Sequence, residues 1–283
     1  MTVRSFLAQV EKTGLLRLLH REWLSKFGTL RKQQRYGLLD RPNYAYGMLR
    51  AADAAALWGK KATTVFEFGV ANGAGILNML ELSEILTKET GISFRIVGFD
   101  TGSGLPEIGN DYRDHPEMWA KGDFYMEDRQ SLLKKLDGKA ELIFGDIKDT
   151  LGGFMDTLNS DAPVGFIAVD VDSYTATKES FRILKVRKEL LNPVVSIYCD
   201  DVIGYFFNKW CGELLAVEEF NVENDIRKID RDRSSFMSTP GYDPLWGEKM
   251  FVAHILDHEV RSSSRRNGMS MREYTSLPVY KVF

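Results

Sequence analysis

The stretch TVFEFGVANGAG, Thr64 to Gly75, decides how this chain is read. It opens as a short apolar run, Val65-Phe66 with Phe68 beyond, interrupted by the acid Glu67. It then breaks into a turn carrying Gly69, Gly73 and Gly75. Ile76, Leu77, Leu80, Ile85 and Leu86 follow at helical spacing. Strand, glycine turn and helix is the layout of a nucleotide pocket in a doubly wound α/β sheet. Glycine lets the backbone come close to a ligand, because no Cβ intervenes and positive φ is tolerated. A tight turn that binds nothing carries the same glycines, so the rest of the chain has to decide.

Working outward, the same alternation recurs. Phe94 to Phe99 reads as a second strand with Asp100 at its tip, 31 residues past Gly69. A carboxylate there can accept hydrogen bonds from both hydroxyls of a ribose, although the following TGSG also suits a turn or a helix cap. Thr101 to Pro116 reads as a loop and Asp123 to Leu136 as a helix. Ala140 to Phe144 is a third strand closed by Gly145-Asp146-Ile147, and Phe166 to Val171 a fourth, enclosing Asp170 with Asp172 at its end. Thr175 to Leu191 is helical, Asn192-Pro193 a turn, and Val194 to Cys199 a fifth strand ending in Asp200-Asp201. Strands alternating with helices imply a parallel sheet covered on both faces, and ligands in such sheets bind beyond the carboxyl ends of the strands. Asp100, Asp146, Asp172, Asp200 and Asp201 all fall on that edge. Lys209 to Phe220 reads as a further helix, Ile226 to Asp230 and Met250 to Leu256 as a terminal antiparallel pair, and Ser238 to Gly247 as a loop between them.

Composition bounds the function. With 283 residues, 44% of them hydrophobic, the chain can bury a sizeable core. No apolar run approaches the roughly 18 residues of a transmembrane helix, and MTVRSFLAQVEKTG lacks an apolar signal region, so a cytoplasmic location is expected. Cys199 and Cys211 suggest no disulfide framework. The net charge of −3 is uneven: Met1 to Arg35 carries +6 and the remainder −9. Phe6, Leu7, Val10, Leu15, Leu18, Leu19, Trp23 and Phe27 recur at helical spacing in that basic segment. Residues 1–60 are read as a helical arm or lid, which meets an acidic substrate, a membrane surface or another subunit, or is a solvated face. Residues 61–283 are read as the catalytic domain. No nucleic-acid partner is expected, and a homodimer is.

The ligand class follows from charge. Gly69, Gly73 and Gly75 miss the G-x-G-x-x-G spacing of a dinucleotide site, and Glu67 puts negative charge where a pyrophosphate would suffer from it. S-adenosylmethionine carries a sulfonium and an ammonium and no phosphate. EFGVANGAG resembles the first motif of class I methyltransferases. GFDTGSGLP (98–106), GDIKDTL (145–151), VDVDSYTATKESFRIL (169–184), CDD (199–201), AVEEF (216–220) and RKID (227–230) together resemble the macrocin O-methyltransferase (TylF-type) family, over about Tyr44 to Leu256. The resemblance implies a doubly wound, mostly parallel seven-stranded sheet of Rossmann-like methyltransferase fold with extra N-terminal helices. It implies transfer of methyl from S-adenosylmethionine to a hydroxyl of a small molecule, a sugar or polyol in natural product biosynthesis, with Mg²⁺. Cofactor binding then falls on Glu67, Gly69, Ala71, Gly73, Asp100, Thr101, Gly145, Asp146, Ile147 and Asp170. Glu67 to Gly75 would wrap the methionine part, Asp100 the ribose and Asp146 the adenine edge.

The family's magnesium acids fall on Asp172, Asp200 and Asp201. Three carboxylates crowded at two adjacent strand ends repel one another unless a cation or protons intervene, and oxygen-only ligation suits a hard ion. The proton acceptor stays open between a carboxylate of this set, Asp172, and His254; His115 and His258 are read as surface residues. Two other readings remain: a metal-independent methyltransferase acting on a phenol or amine, and a non-catalytic S-adenosylmethionine-binding protein.

Overall fold

The computed structural model describes residues 14–235, 245–262, 270 and 272–273. Its strands are β1 (Ala62–Phe68), β2 (Ser93–Asp100), β3 (Glu141–Phe144), β4 (Val164–Val169), β5 (Leu191–Cys199), β6 (Arg227–Arg231) and β7 (Met250–Ile255). They form one seven-stranded sheet in the order β3-β2-β1-β4-β5-β7-β6. β1 to β5 run parallel, and β7 is antiparallel to both β5 and β6. This is the doubly wound, mostly parallel sheet of the Rossmann-like methyltransferase fold, with extra N-terminal helices.

Alternation along β1 divides the core. Val65 faces one side, where it meets Tyr44 and Met48 of α3 (Pro42–Leu57) and Ile76 and Met79 of α4 (Ala74–Thr90). Phe66 and Phe68 face the other, stacked at 5.7 Å, with Phe99 of β2 at 5.2 Å from Phe68. That side is closed by α6 (Ile147–Met155), α7 (Tyr174–Ser180) and α8 (Gly212–Glu223) through Phe154, Tyr174 and Phe220. The core also reaches back into the segment read from sequence as an arm: Leu30 of α2 (Leu30–Arg35) and most of α3 are buried in it. By contrast α1 (Gly14–Phe27) turns Leu24 inward and leaves Leu19, Trp23 and Phe27 54%, 52% and 71% exposed. Phe6, Leu7 and Val10, and residues 238–244 of the expected Ser238 to Gly247 loop, lie outside the described residues, as does most of the chain past 262.

Four expectations change. Asn192-Pro193 is no turn but part of β5. The strand accommodates proline because its register against β4 shifts there, from Val164↔Leu191 to Phe166↔Ser196. The long helix from Thr175 stops at Ser180 and continues as tighter turns over Phe181–Lys185 and Lys188–Leu190. The helix expected from Asp123 begins at Arg129, where the Asp128 carboxylate accepts from Ser131 N and caps it as α5 (Arg129–Leu136). Finally β4 ends at Val169, so Asp170 stands just past the strand tip instead of within it.

The ladder continues one step beyond the strands, and this positions the site. Gly69 N donates to Phe99 O, Asp170 N to Phe68 O, and Asp200 N to Val169 O, at 2.9, 2.9 and 3.1 Å. The ends of β2, β1, β4 and β5 are thereby locked side by side, with Asp100 at the tip of β2, Asp170 and Asp172 beyond β4, and Asp200 and Asp201 beyond β5.

Candidate active site

The turn after β1 is built by exclusion and by one carboxylate. Gly69 has φ +86°, and a Cβ there would lie 1.7 Å from Asp170 O, so no other residue fits. Ala71 also has positive φ, 45°, which is strained for a residue with a side chain. Asp100 holds it: one carboxylate oxygen accepts from Val70 N and Ala71 N at 2.8 Å each, and the other from Gly102 N at 2.6 Å. The acid read from sequence as a ribose ligand or a cap thus already ties the turn to the tip of β2.

Behind the turn lies Glu67, fully enclosed. Tyr44 donates to its Oε1 at 2.6 Å, while Oε2 is buried without a partner. A Cβ on Gly75 would sit 1.6 Å from Oε1, which is why α4 opens with glycine at that contact. Burial raises the Glu67 carboxyl to about 8, against the lowering effect of the Tyr44 hydrogen bond, and the Asp170 charge adds to the rise.

At the tips of β4 and β5 four more acids converge. Asp170 is raised to about 7 by burial and by the charges of Asp200 and Asp201. Asp172 and Asp201 act on one another carboxyl to carboxyl, and both are pushed above the ordinary range, first by burial and then by neighbouring acids. Asp172 holds φ +63° at the centre of a tight turn in which Ser173 N donates to Val171 O at 2.6 Å. Asp114 steadies that turn from outside, accepting from Thr175 N at 2.7 Å and Thr175 Oγ1 at 2.8 Å. Asp200 differs: burial opposes its ionisation, but hydrogen bonds from Lys249 (Nζ, 2.8 Å) and Tyr198 outweigh it and hold the carboxyl below its usual range. Buried Glu213 accepts from Asp201 N at 2.9 Å and is itself pushed well up by burial and by Asp201.

Glu67, Asp100, Asp170, Asp172, Asp200 and Asp201 face one cavity of about 480 Å³ beyond the carboxyl ends of the strands. Of the residues singled out from sequence, Glu67, Gly69, Ala71, Asp100, Thr101 and Gly145 line it. So do Asp146, Ile147, Asp170, Asp172, Asp200 and Asp201. Asp146 is also the cap of α6, accepting from Lys148 N at 2.9 Å. Gly73 is not in the wall; it packs on Leu132. His254 is not there either. It lies on β7 opposite Val194 and Lys228, in a separate cavity with Ser196 and Arg50, because its position in the strand points to the α3 side of the sheet. His115 is no surface residue: it is buried, with Nδ1 2.8 Å from Glu117. Sequence reading missed Arg41, Leu105, Trp119 and Phe124, which also line the wall. Leu105 and Asp123 are bridged by a backbone bond of 2.8 Å that folds this irregular loop over the cavity, a pairing without periodicity to announce it.

As a metal set the acids are incomplete. Among the described residues no three His, Cys, Asp or Glu side chains are grouped so as to hold an ion. Asp172 and Asp201 face each other, and Asp201 Oδ2 is buried without a partner, whereas Asp200 is engaged by Lys249 and Tyr198.

No protein-family model matches the chain, and no curated protein matches it in sequence. Solved structures do resemble it. The O-methyltransferase NovP is 15% identical, over 79% of this chain and 87% of that one, with a TM-score of 0.49. The calicheamicin methyltransferase CalS11 is 19% identical, over 74% and 86%, with a TM-score of 0.45. TomG from Streptomyces achromogenes, an O-methyltransferase solved with S-adenosylmethionine, is 14% identical over 83% and 94%, with a TM-score of 0.39.

The state of Glu67 can be read from stability. The folded chain keeps its proton up to about pH 8, while an unfolded glutamate releases it near 4.5, so this group makes stability fall as pH rises between those values. Glu67→Gln keeps the acceptor for Tyr44 and removes the titration. The difference between urea unfolding free energies at pH 5 and pH 8 should shrink by roughly 2–4 kcal/mol. An unchanged difference would show that Glu67 is ionised in the folded protein.

Proposed function

We propose that this protein is an S-adenosylmethionine-dependent O-methyltransferase acting on a hydroxyl of a small molecule, a sugar or polyol of a natural product. One observation carries the reading: the glycine turn and Glu67, with an unpartnered buried oxygen, share a single cavity with Asp170, Asp172 and Asp201. Acids so placed disfavour phosphate and favour a ligand bearing an ammonium and a sulfonium. Glu67 and the backbone from Gly69 to Gly75 would receive the methionine end. Asp100 would face the ribose with what acceptor capacity its three backbone bonds leave, and Asp146 the adenine edge.

In the reaction the acceptor oxygen takes the methyl group along the line of the breaking carbon–sulfur bond, S-adenosylhomocysteine is left, and the acceptor's proton passes to a carboxylate. We assign that role to Asp172, supported by its place in the cavity wall and by surroundings that keep its carboxyl ready to hold a proton near neutrality.

A divalent ion fits part of this set. Asp172 and Asp201 would hold it, the free lone pairs of Asp201 Oδ2 supporting this, while Asp200 is already committed to Lys249. Bound there, Mg²⁺ would supply a Lewis acid for the acceptor hydroxyl. A homodimer in the cytoplasm completes the proposal; the exposed stripe of Leu19, Trp23 and Phe27 on α1 offers the joining surface. Light scattering should give twice the chain mass, and the mass of a single chain would exclude the dimer.

Transfer of labelled methyl from S-adenosylmethionine to a panel of glycosides and polyols tests the activity. Asp172→Asn should lower turnover by about 10²-fold or more with cofactor affinity kept. EDTA should abolish turnover and Mg²⁺ restore it. Full transfer in EDTA would move the protein to the metal-independent reading, and no transfer with intact cofactor binding to the non-catalytic one.

A further inference from the structure

Arg41 stands apart from the other charged groups of the cavity. It precedes α3 as its N-cap residue and lends no side-chain bond to that helix. Its guanidinium lies 5.0 Å from the centre of the Tyr44 ring, and the Tyr44 hydroxyl is bonded to Glu67. Eight acidic residues line the cavity, and Arg41 is the only lysine or arginine among the described residues that does. Its side chain makes no hydrogen bond or ion pair with any described residue. Glu67, Asp170 and Asp200 all feel its charge without bonding to it. Lys249, whose charge also reaches Asp170 and Asp200, is committed to Asp200 at 2.8 Å.

A half-buried guanidinium has five donors to satisfy, and an arrangement that leaves them open beside a cavity points to an anion carried by the ligand. The planar fork matches a carboxylate, and stacking on Tyr44 fixes its orientation in advance. Glu67 and Arg41 both bear on Tyr44, one at the hydroxyl and one at the ring face, so an acid with an unpartnered oxygen and an unpaired cation stand together. That pair is complementary to the ammonium and carboxylate of one α-amino acid.

We propose that Arg41 binds the carboxylate of the methionine end of the cofactor, with Glu67 taking the adjoining ammonium, and so selects an amino-acid-bearing sulfonium over one lacking the carboxylate. The inference rests on the reading of the cavity as an S-adenosylmethionine site and adds the residue that discriminates within it. Without Arg41 every charged residue of the wall would be acidic and would repel that carboxylate.

Calorimetry on the full chain, with S-adenosylmethionine and decarboxylated S-adenosylmethionine as the two probes, decides the matter. Wild type should bind the first more tightly than the second. Arg41→Gln should weaken S-adenosylmethionine by roughly tenfold to hundredfold, the range for a charge-assisted hydrogen bond, and leave the decarboxylated probe within about threefold. Arg41→Lys, which keeps charge but not the fork, should fall between. Retained binding of the decarboxylated probe shows in the same experiment that the variant is folded. An equal loss for both probes, or none, would overturn the role of Arg41 while leaving the cofactor site standing. Failure of wild type to bind either probe would overturn the cofactor site and the inference with it.

Discussion

Carboxyl groups crowded into one low-dielectric place are the constraint on which this molecule turns. Glu67, Asp170, Asp172, Asp201 and Glu213 are all held above their ordinary ionisation range, with burial the largest cause in each case. Such a cluster costs folding energy unless protons or cations compensate it. Two cations stand near, and neither neutralises these five acids: Lys249 serves Asp200, and Arg41 is bonded to none of them. A cationic ligand would supply the compensation that these cations do not.

The sheet explains why the acids meet at all. β2, β1, β4 and β5 lie side by side, and the backbone bonds beyond their tips fix Gly69, Asp170 and Asp200 in one row. The strained turns at Ala71 and Asp172 are then held from outside, the first by the Asp100 carboxylate and the second by Asp114 on Thr175. Strain kept in place by its surroundings at two points of one cavity is how a site is preorganised. The stable cores lie on either side of the sheet, so the edge can be shaped by ligand chemistry while Phe66, Phe68 and Phe166 carry the fold.

Much of this was legible in the sequence for a simple reason. Short apolar runs, buried on both faces in the parallel sheet, end abruptly, and the residue after the run must sit at the sheet edge, so Asp100, Asp146, Asp172, Asp200 and Asp201 could be placed without coordinates. What was not legible lacks periodicity. Leu105, Trp119 and Phe124 belong to an irregular loop held by a few backbone bonds. Arg41 carries no signal in the sequence beyond standing before Pro42, and only the packing of α3 on the sheet brings it to the cavity. Pro193 reads as a turn because the register shift that admits it into β5 depends on the neighbouring strand. His254 fails as a base because alternation on β7 carries it away from the cavity, a matter of register that one sequence does not disclose.

If protonated buried carboxyls receive a cationic ligand, binding must move protons. Calorimetry of S-adenosylmethionine binding at pH 7, in two buffers of different ionisation enthalpy, reads this off, because the slope between the buffers counts the protons exchanged. One-to-one binding with net release of protons is expected, as Glu67, which in the unliganded protein titrates at about 8, ionises against the ligand's positive charge. Binding with no proton exchange, or with proton uptake, would rule out this role for the buried acids.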